Sequence, residues 1–145
     1  MRRYALAWLL AGFALATPHT VKAQQPSRPT QIELRQNYPN PFNPATTIPF
    51  SLSVDLFAGG HRPVVSLRIF NVLAQLVAIP SLQQSGQSLD NVELDCLSPH
   101  DGVCDFSAYW DGHYLNSSRE AASGVYVYQL VLNGQRSSRR MVVMK

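Results

Sequence analysis

An eight-residue segment rich in proline and asparagine limits the folds open to this 145-residue chain more than any other stretch. It contains three prolines, three asparagines and two aromatic residues, in the order Asn37, Tyr38, Pro39, Asn40, Pro41, Phe42, Asn43, Pro44. Each proline fixes its own φ at about −65° and disfavours the helical region for the residue before it. Asn40 and Asn43 precede prolines, where asparagine favours an Asx-turn. The segment therefore cannot be a helix or a central strand, and we expect Tyr38 and Phe42 to anchor it to a core.

The N-terminus has the organisation of a secretory signal peptide. Arg2 and Arg3 precede an apolar run from position 5 to 16, and a polar stretch then ends at the small residue Ala23. The run is too short to span a bilayer, which takes about 20 apolar residues. We expect cleavage after Ala23, export across the inner membrane and no permanent transmembrane segment. The alternatives are an uncleaved membrane anchor and a short amphipathic N-terminus. The chain thus divides into a signal peptide (1–23), a polar tether (24–35) and one folded domain (36–145).

The basic balance of the chain comes from the signal peptide. The formal net charge is +3, but removal of Arg2, Arg3 and Lys22 leaves nine Lys and Arg against nine Asp and Glu. Acidic residues crowd positions 90–111, and basic residues crowd 136–145. The two regions either attract each other, within or between molecules, or form two solvated faces. With no stripe of basic and aromatic residues, we expect no nucleic-acid partner.

Cys96 and Cys104 are the only cysteines, and an even number in an exported chain favours a disulfide. Pro99 and Gly102 allow the loop between them to turn back on itself. A zinc site with His100 is disfavoured, since structural zinc normally takes four ligands at other spacings. The aspartates of this region offer oxygen ligands for calcium, although a solvated acidic loop is the simpler interpretation. They are Asp95, Asp101, Asp105 and Asp111.

Short alternating segments predict an antiparallel β-sandwich of about seven strands. The expected strands are 46–52, 65–70, 75–79, 92–94, 107–110, 124–132 and 138–144. Pro49 should place the first of these at a sheet edge or at the start of a ladder. Asn133-Gly134 predicts a two-residue hairpin turn, and Tyr126, Tyr128, Leu130 and Leu132 should share one buried face. No nucleophile elbow, phosphate-binding loop or metalloprotease motif is present, so we expect neither enzymatic activity nor a cofactor.

The order of four motifs resembles the C-terminal sorting domain of the bacterial type IX secretion system, in its type A form with an Ig-like fold related to the flagellar hook-capping protein. The first motif is 36–48, the second is the strand, turn and strand of 65–77, and the third is Tyr109-Trp110-Asp111-Gly112. The fourth joins 122–130 to the final strand at 139–145. Together they cover residues 36–145.

The resemblance implies a domain that the outer-membrane secretion machinery recognises and that a surface protease commonly removes. The chain would pass through the periplasm to the cell surface or the medium. The implied sorting residues are Gly124, Tyr126, Arg140, Met141, Val142, Val143, Met144 and Lys145. A terminal strand at a free sheet edge would offer its backbone to the receptor, and its basic flank would meet an acidic receptor surface. Deleting 141–145 should then stop export and leave the fold mostly intact.

The chain departs from the family pattern in three ways. Ala74 occupies the usual position of a turn glycine, the cysteine loop looks like an insertion, and no cargo precedes the domain within this sequence. The alternative function is therefore a structural or adhesive Ig-like module at the cell surface, which keeps the fold but not the sorting role. The receptor, cleavage of the domain and the oligomeric state stay open.

Overall fold

The computed structural model describes residues 30–145, so the expected signal peptide and its cleavage site at Ala23 lie outside the described residues. Nine strands and one short 3₁₀ segment, Val54–Gly60, make up the regular structure of this part of the chain. The strands are β1 (Ile32–Leu34), β2 (Thr46–Ser53), β3 (Val64–Phe70), β4 (Leu76–Ala78), β5 (Ser81–Leu82), β6 (Val92–Glu93), β7 (Val103–Trp110), β8 (Gly124–Leu132) and β9 (Gln135–Val143).

The strands form two antiparallel sheets that pack face to face, which confirms the predicted all-β sandwich. The first sheet has the order β1-β2-β7-β5, and the second has β4-β3-β8-β9 with β6 also pairing with β3. Nine strands form where about seven were expected, because β1 and the two-residue β5 carry too little alternation to be predicted. None of the helical structure in residues 30–145 is long and apolar enough to cross a membrane.

The core follows directly from the period-two alternation of apolar residues. Strands β2, β3, β7 and β8 turn alternate side chains inward, including the predicted face of β8 from Tyr126 to Leu132. At least three consecutive inward side chains are buried in β2, β3 and β7 as well; these are Ile48, Phe50, Leu52, Val65, Leu67, Ile69, Cys104, Phe106, Ala108 and Trp110.

Two expectations about the first strands are wrong. Ile32 and Leu34, in the expected polar tether, are buried in β1, which pairs with β2. Pro49 lies in β2, an interior strand rather than an edge. The Pro49 carbonyl accepts from the Arg35 amide at 3.0 Å. Proline has no N–H, so Pro49 cannot donate to the Arg35 carbonyl in return. The Arg35 carbonyl accepts from the Tyr128 hydroxyl instead, at 2.7 Å. A side chain from the other sheet thus makes an interior proline tolerable.

The two predicted hairpin turns use left-handed backbone conformations. Asn133 and Gly134 have φ of 49° and 77°, as a two-residue turn of this type requires. Ala74 has φ of 59°, which costs about 1–2 kcal/mol for a residue with a Cβ. The Asn71 side chain supports that turn, since its oxygen accepts from the Leu73 and Gln75 amides at 3.0 Å each.

Candidate functional site

Residues from the first, third and fourth motifs form one row of aromatic rings at one end of the sandwich. The Phe42 and Trp110 ring centroids are 5.4 Å apart, and those of Trp110 and Tyr126 are 5.8 Å apart, both edge-to-face. All three side chains are at most 6% exposed. Such pairs add about 0.5–1.5 kcal/mol each beyond area burial. Segments far apart in sequence are therefore tied together here, at what we call the motif end.

The Trp110-Asp111-Gly112 motif closes this end through its backbone. The Trp110 indole donates to the His113 carbonyl at 2.9 Å, and the Asp111 carboxylate accepts from the His113 amide at 2.9 Å. Gly112 has φ of +84°, and a Cβ there would lie 2.1 Å from the Pro44 carbonyl oxygen. The third motif thus needs glycine at this position because the end of the Asn/Pro segment lies directly against it.

The middle of the Asn/Pro segment pairs with the C-terminal strand. The Phe42 amide donates to the Val142 carbonyl, the Met144 amide donates to the Phe42 carbonyl, and the Val142 amide donates to the Asn40 side chain, each at 3.0 Å. The outer backbone groups of Val142 and the Met144 amide are therefore occupied. The expectation that the last residues lie along a free sheet edge is wrong for this part of β9.

Only one of the two predicted aromatic anchors is buried. Phe42 is 2% exposed, whereas Tyr38 is 61% exposed. The Tyr38 backbone forms a bridge with Thr47, which directs its side chain to solvent. Of the two asparagines expected to form Asx-turns, Asn40 instead accepts from the Val142 amide through its side-chain oxygen. Asn37, for which no such turn was expected, is buried and donates to the Pro39 carbonyl at 3.1 Å.

Tyr128 lies within the fourth motif and was expected to be buried, but its hydrogen bonds to the first motif were not predicted. Its hydroxyl donates to the Arg35 carbonyl at 2.7 Å and accepts from the Asn37 amide at 3.0 Å. The side chain is fully buried, and burial raises its pKa. A tyrosine on a buried face of a strand needs a partner for its hydroxyl, and this need is the sequence signal that could have indicated the role.

The implied sorting residues of the fourth motif are partly core residues. Met141 and Val143 are at most 2% exposed, whereas Met144 is 59% exposed. Gly124 pairs with Val143 at the start of β8. The expectation that deletion of residues 141–145 leaves the fold mostly intact is therefore wrong, since large-to-small changes at single buried sites already cost about 2–5 kcal/mol.

Tyr126 and Lys145 fix the loop beside the terminal strand. The Tyr126 hydroxyl donates to the Ala122 carbonyl at 3.0 Å, and burial, aided by a hydrogen bond with Tyr114, raises its pKa to about 12. The Lys145 amide donates to the Ser123 hydroxyl. The Lys145 ammonium donates to the Glu120 carboxylate in an ion pair, and this side-chain hydrogen bond lowers the pKa of Glu120. The end of the chain is thus held on both sides.

Most of the large apolar side chains that are exposed within residues 30–145 lie at the motif end. The motif-end group consists of Tyr38, Val72, Leu73, Leu76, Tyr109, Leu115, Val125 and Met144, each between 40% and 76% exposed. Val64 and Leu97 lie at the other end.

The acidic region and the basic C-terminus do not pair with each other in the described structure. Its ion pairs use arginines from elsewhere: Arg62 binds Asp95 and Glu93, Arg68 binds Asp90, and Arg35 binds Asp105. These acidic residues are partly exposed, so solvent screening keeps the contribution of each pair to stability small. Residues 30–145 contain no group of three or more His, Cys, Asp and Glu side chains arranged to hold a metal ion.

The predicted disulfide between Cys96 and Cys104 is present, with Cα atoms 5.6 Å apart. It closes a short loop, so the chain-entropy model gives about 2–3 kcal/mol. A groove of about 380 Å³ beside it is lined by residues that include Arg62, Leu97 and Phe106.

A serine, an aspartate and a histidine lie close together on the outer face of the first sheet, a cluster that the sequence motifs did not indicate. The Ser51 hydroxyl donates to Asp105 at 2.5 Å, and His100 lies 3.2 Å from the other oxygen of the same carboxylate. The carboxylate therefore sits between serine and histidine. In a hydrolase triad the histidine occupies the middle, where it takes the serine proton.

Comparisons with known proteins give little help with function. No family model and no curated protein matches the chain. It is similar to a solved structure described as Pseudomonas fluorescens alkylpurine DNA glycosylase AlkC bound to DNA containing an abasic site analog, at 15% identity and a TM-score of 0.46. The match covers 79% of this chain and 31% of the other, so the chain spans about a third of the length of that protein.

That match contradicts the prediction that the chain is not an enzyme, because the similar protein is one. That prediction is not retained. With a TM-score below 0.5, the match carries no argument about what this chain catalyses or binds.

Proposed function

We propose that the chain is a C-terminal sorting domain that the outer-membrane type IX secretion machinery recognises. The observation that carries the proposal is the meeting of all four motifs at one end of the sandwich. The first, third and fourth motifs supply Phe42, Trp110 and Tyr126 to the aromatic row, and the turn of the second motif lies at the same end. A single receptor can contact motifs that are far apart in the sequence only where the fold brings them together.

The motif residues and the recognition residues have different tasks in this proposal. The buried rings and the Gly112–Pro44 contact hold the terminal strand in place. The exposed apolar side chains of the motif end, among them Met144 and Leu73, form the contact with the receptor. The receptor face should accordingly be apolar, because burial of apolar surface drives most protein–protein association. The proposed route runs through the periplasm to the cell surface or medium, where a surface protease can remove the domain.

A reporter experiment tests this proposal. Residues 24–145 are fused to the C-terminus of a periplasmic reporter in a bacterium that has this secretion system, and the reporter outside the outer membrane is measured. The intact domain should export the reporter. Met144→Glu should reduce export at least tenfold, because it places a charge in an apolar contact. Leu97→Glu is the matched control, since Leu97 is 85% exposed at the opposite end, and it should leave export unchanged.

Each variant is first checked for folding by thermal unfolding. A reporter that stays in the periplasm with the intact domain would contradict the sorting role. If Met144→Glu and Leu97→Glu are exported equally well, the motif end is not the recognition surface. Export that is unchanged by substitutions at the motif end, together with binding of the purified chain to surface glycans or proteins, would favour the adhesive module instead.

A further inference from the structure

We propose that the first half of β9, residues 135–140, binds an extended acidic segment of a partner protein by accepting it as an additional strand of the second sheet. The proposal concerns a different part of the molecule from the motif end. It does not depend on the sorting role.

The unpaired backbone of β9 supplies the first argument. Register with β8 is continuous from Gln135 to Val143. The outward groups of Val142 bond the Asn/Pro segment, so with a period of two the backbone groups of Ser138 and Arg136 also point outward. Within residues 30–145 no hydrogen bond reaches those outward groups. Two successive outward residues present four hydrogen-bonding groups, which is the template that strand addition uses.

The course of the chain explains why this half of the edge is open. β1 pairs with the first sheet, and the chain then crosses over to β9, where Gln36 donates to the Arg140 carbonyl at 3.0 Å. Beyond that point the Asn/Pro segment runs parallel to β9. Before it, β1 and β9 diverge and leave a groove of about 330 Å³ lined by Thr30, Ile32, Gln135, Arg136 and Ser137. The edge therefore already accepts one extended segment beside its second half, and it has space for another beside its first half.

The positive charge of this half of β9 favours an acidic partner. Arg136, Arg139 and Arg140 lie within five positions, and within the described chain none of them forms an ion pair with a carboxylate. Arg139 instead donates to the Leu34 carbonyl at 2.5 Å. Pairing with a second copy of the same edge would bring these arginines against their own counterparts, and like charges on facing strands are destabilising. An extended segment with glutamates or aspartates at alternate positions meets the same edge with complementary charge.

Peptide binding to the purified, oxidised chain tests the inference. The probe is a fluorescent peptide of about ten residues that alternates glutamate with valine or threonine, and the readouts are fluorescence anisotropy and amide hydrogen exchange. We expect saturable binding that protects the Arg136 and Ser138 amides. A lysine version of the peptide should not bind. Neither should a version with proline at every second position, because proline removes the strand donors.

Two protein variants separate backbone pairing from simple charge attraction. Ser138→Pro removes an outward N–H that the β8–β9 ladder does not use, and an edge strand tolerates proline at such a position. It should abolish binding while thermal unfolding still shows a folded chain. The double variant Arg136→Glu with Arg140→Glu keeps the backbone and reverses the charge, and it should weaken binding of the glutamate peptide at least tenfold.

Three results would overturn the proposal. The first is equal binding of the glutamate peptide and its proline version, which would mean that charge alone acts. The second is heparin binding with no amide protection by any peptide, which would indicate an anionic glycan site. The third is concentration-dependent dimerisation through β9, which would show that a second copy is the occupant.

Discussion

Replacing Gly112 with alanine tests the contact that joins the Asn/Pro segment to the Trp110 strand. The added Cβ would lie 2.1 Å from the Pro44 carbonyl oxygen and 3.1 Å from its carbon. Both are backbone atoms, so no side chain can rotate to relieve the clash. The segment that carries Phe42 must move away from Gly112, or the loop after Trp110 must shift.

The expected cost has two parts. Alanine at a φ of +84° costs about 1–2 kcal/mol, and forcing atoms into a filled space costs about 1–3 kcal/mol more. The total of about 2–5 kcal/mol is a large share of the 5–15 kcal/mol that stabilises a typical domain. Gly134→Ala isolates the first part, because Gly134 has φ of +77° and an added Cβ there would meet no atom within 4 Å.

Urea unfolding monitored by fluorescence measures both variants. Trp110 is the only tryptophan after Ala23, so the signal reports on the motif end itself. We expect Gly112→Ala to lower the free energy of unfolding by at least about 1 kcal/mol more than Gly134→Ala does. Faster hydrogen exchange of the Met144 amide should accompany the loss, since that amide bonds the Phe42 carbonyl. Equal losses in the two glycine variants would refute the close approach to Pro44.

Two further predictions concern the buried tyrosines of β8. Tyr128→Phe should lower the free energy of unfolding, measured by chemical denaturation, by about 1–3 kcal/mol, because it leaves the Arg35 carbonyl and the Asn37 amide without their partner. The control Tyr109→Phe, at a 40% exposed position, should change that free energy by less than about 0.5 kcal/mol. The raised pKa of Tyr126, about 12, favours the protonated folded form. Its contribution is therefore complete below about pH 10 and is lost as the pH rises to about 12. A pH series of unfolding curves for Tyr126→Phe should show a smaller alkaline decline than the parent chain, with the remainder coming from Tyr128, whose pKa burial also raises.

The sequence predicts the sandwich because alternation is a local signal. Strands β2, β3 and β8 show clean alternation of inward and outward residues, and the Asn133-Gly134 turn fixes the register of β8 and β9. Short strands cannot be predicted in this way, because they contain too few residues to show alternation. β1 has only Ile32 and Leu34 to mark it, and its pairing with β2 is decided by the rest of the sheet.

Contacts between the motifs could not be predicted because they depend on the path of the chain between sheets. The Asn/Pro segment indicates an irregular conformation, but nothing in it says that Asn40 and Phe42 bond the C-terminal strand. The exposure of Tyr38 has the same origin, since its backbone bridge to Thr47 fixes the direction of the side chain. Local composition gives the type of segment, whereas its partners follow from the assembled fold.

The pairing of the Asn/Pro segment with β9 changes how a C-terminal sorting signal must be studied in this chain. Met141 and Val143 fill the core, and the outer backbone groups of Val142 are bonded to Asn40 and Phe42. Removal of the last residues would therefore expose apolar core and leave buried hydrogen-bonding groups without partners, so lost export after truncation would report unfolding as readily as lost recognition. Substitution of exposed side chains such as Met144 leaves the core and these backbone bonds in place, and it therefore separates recognition from folding.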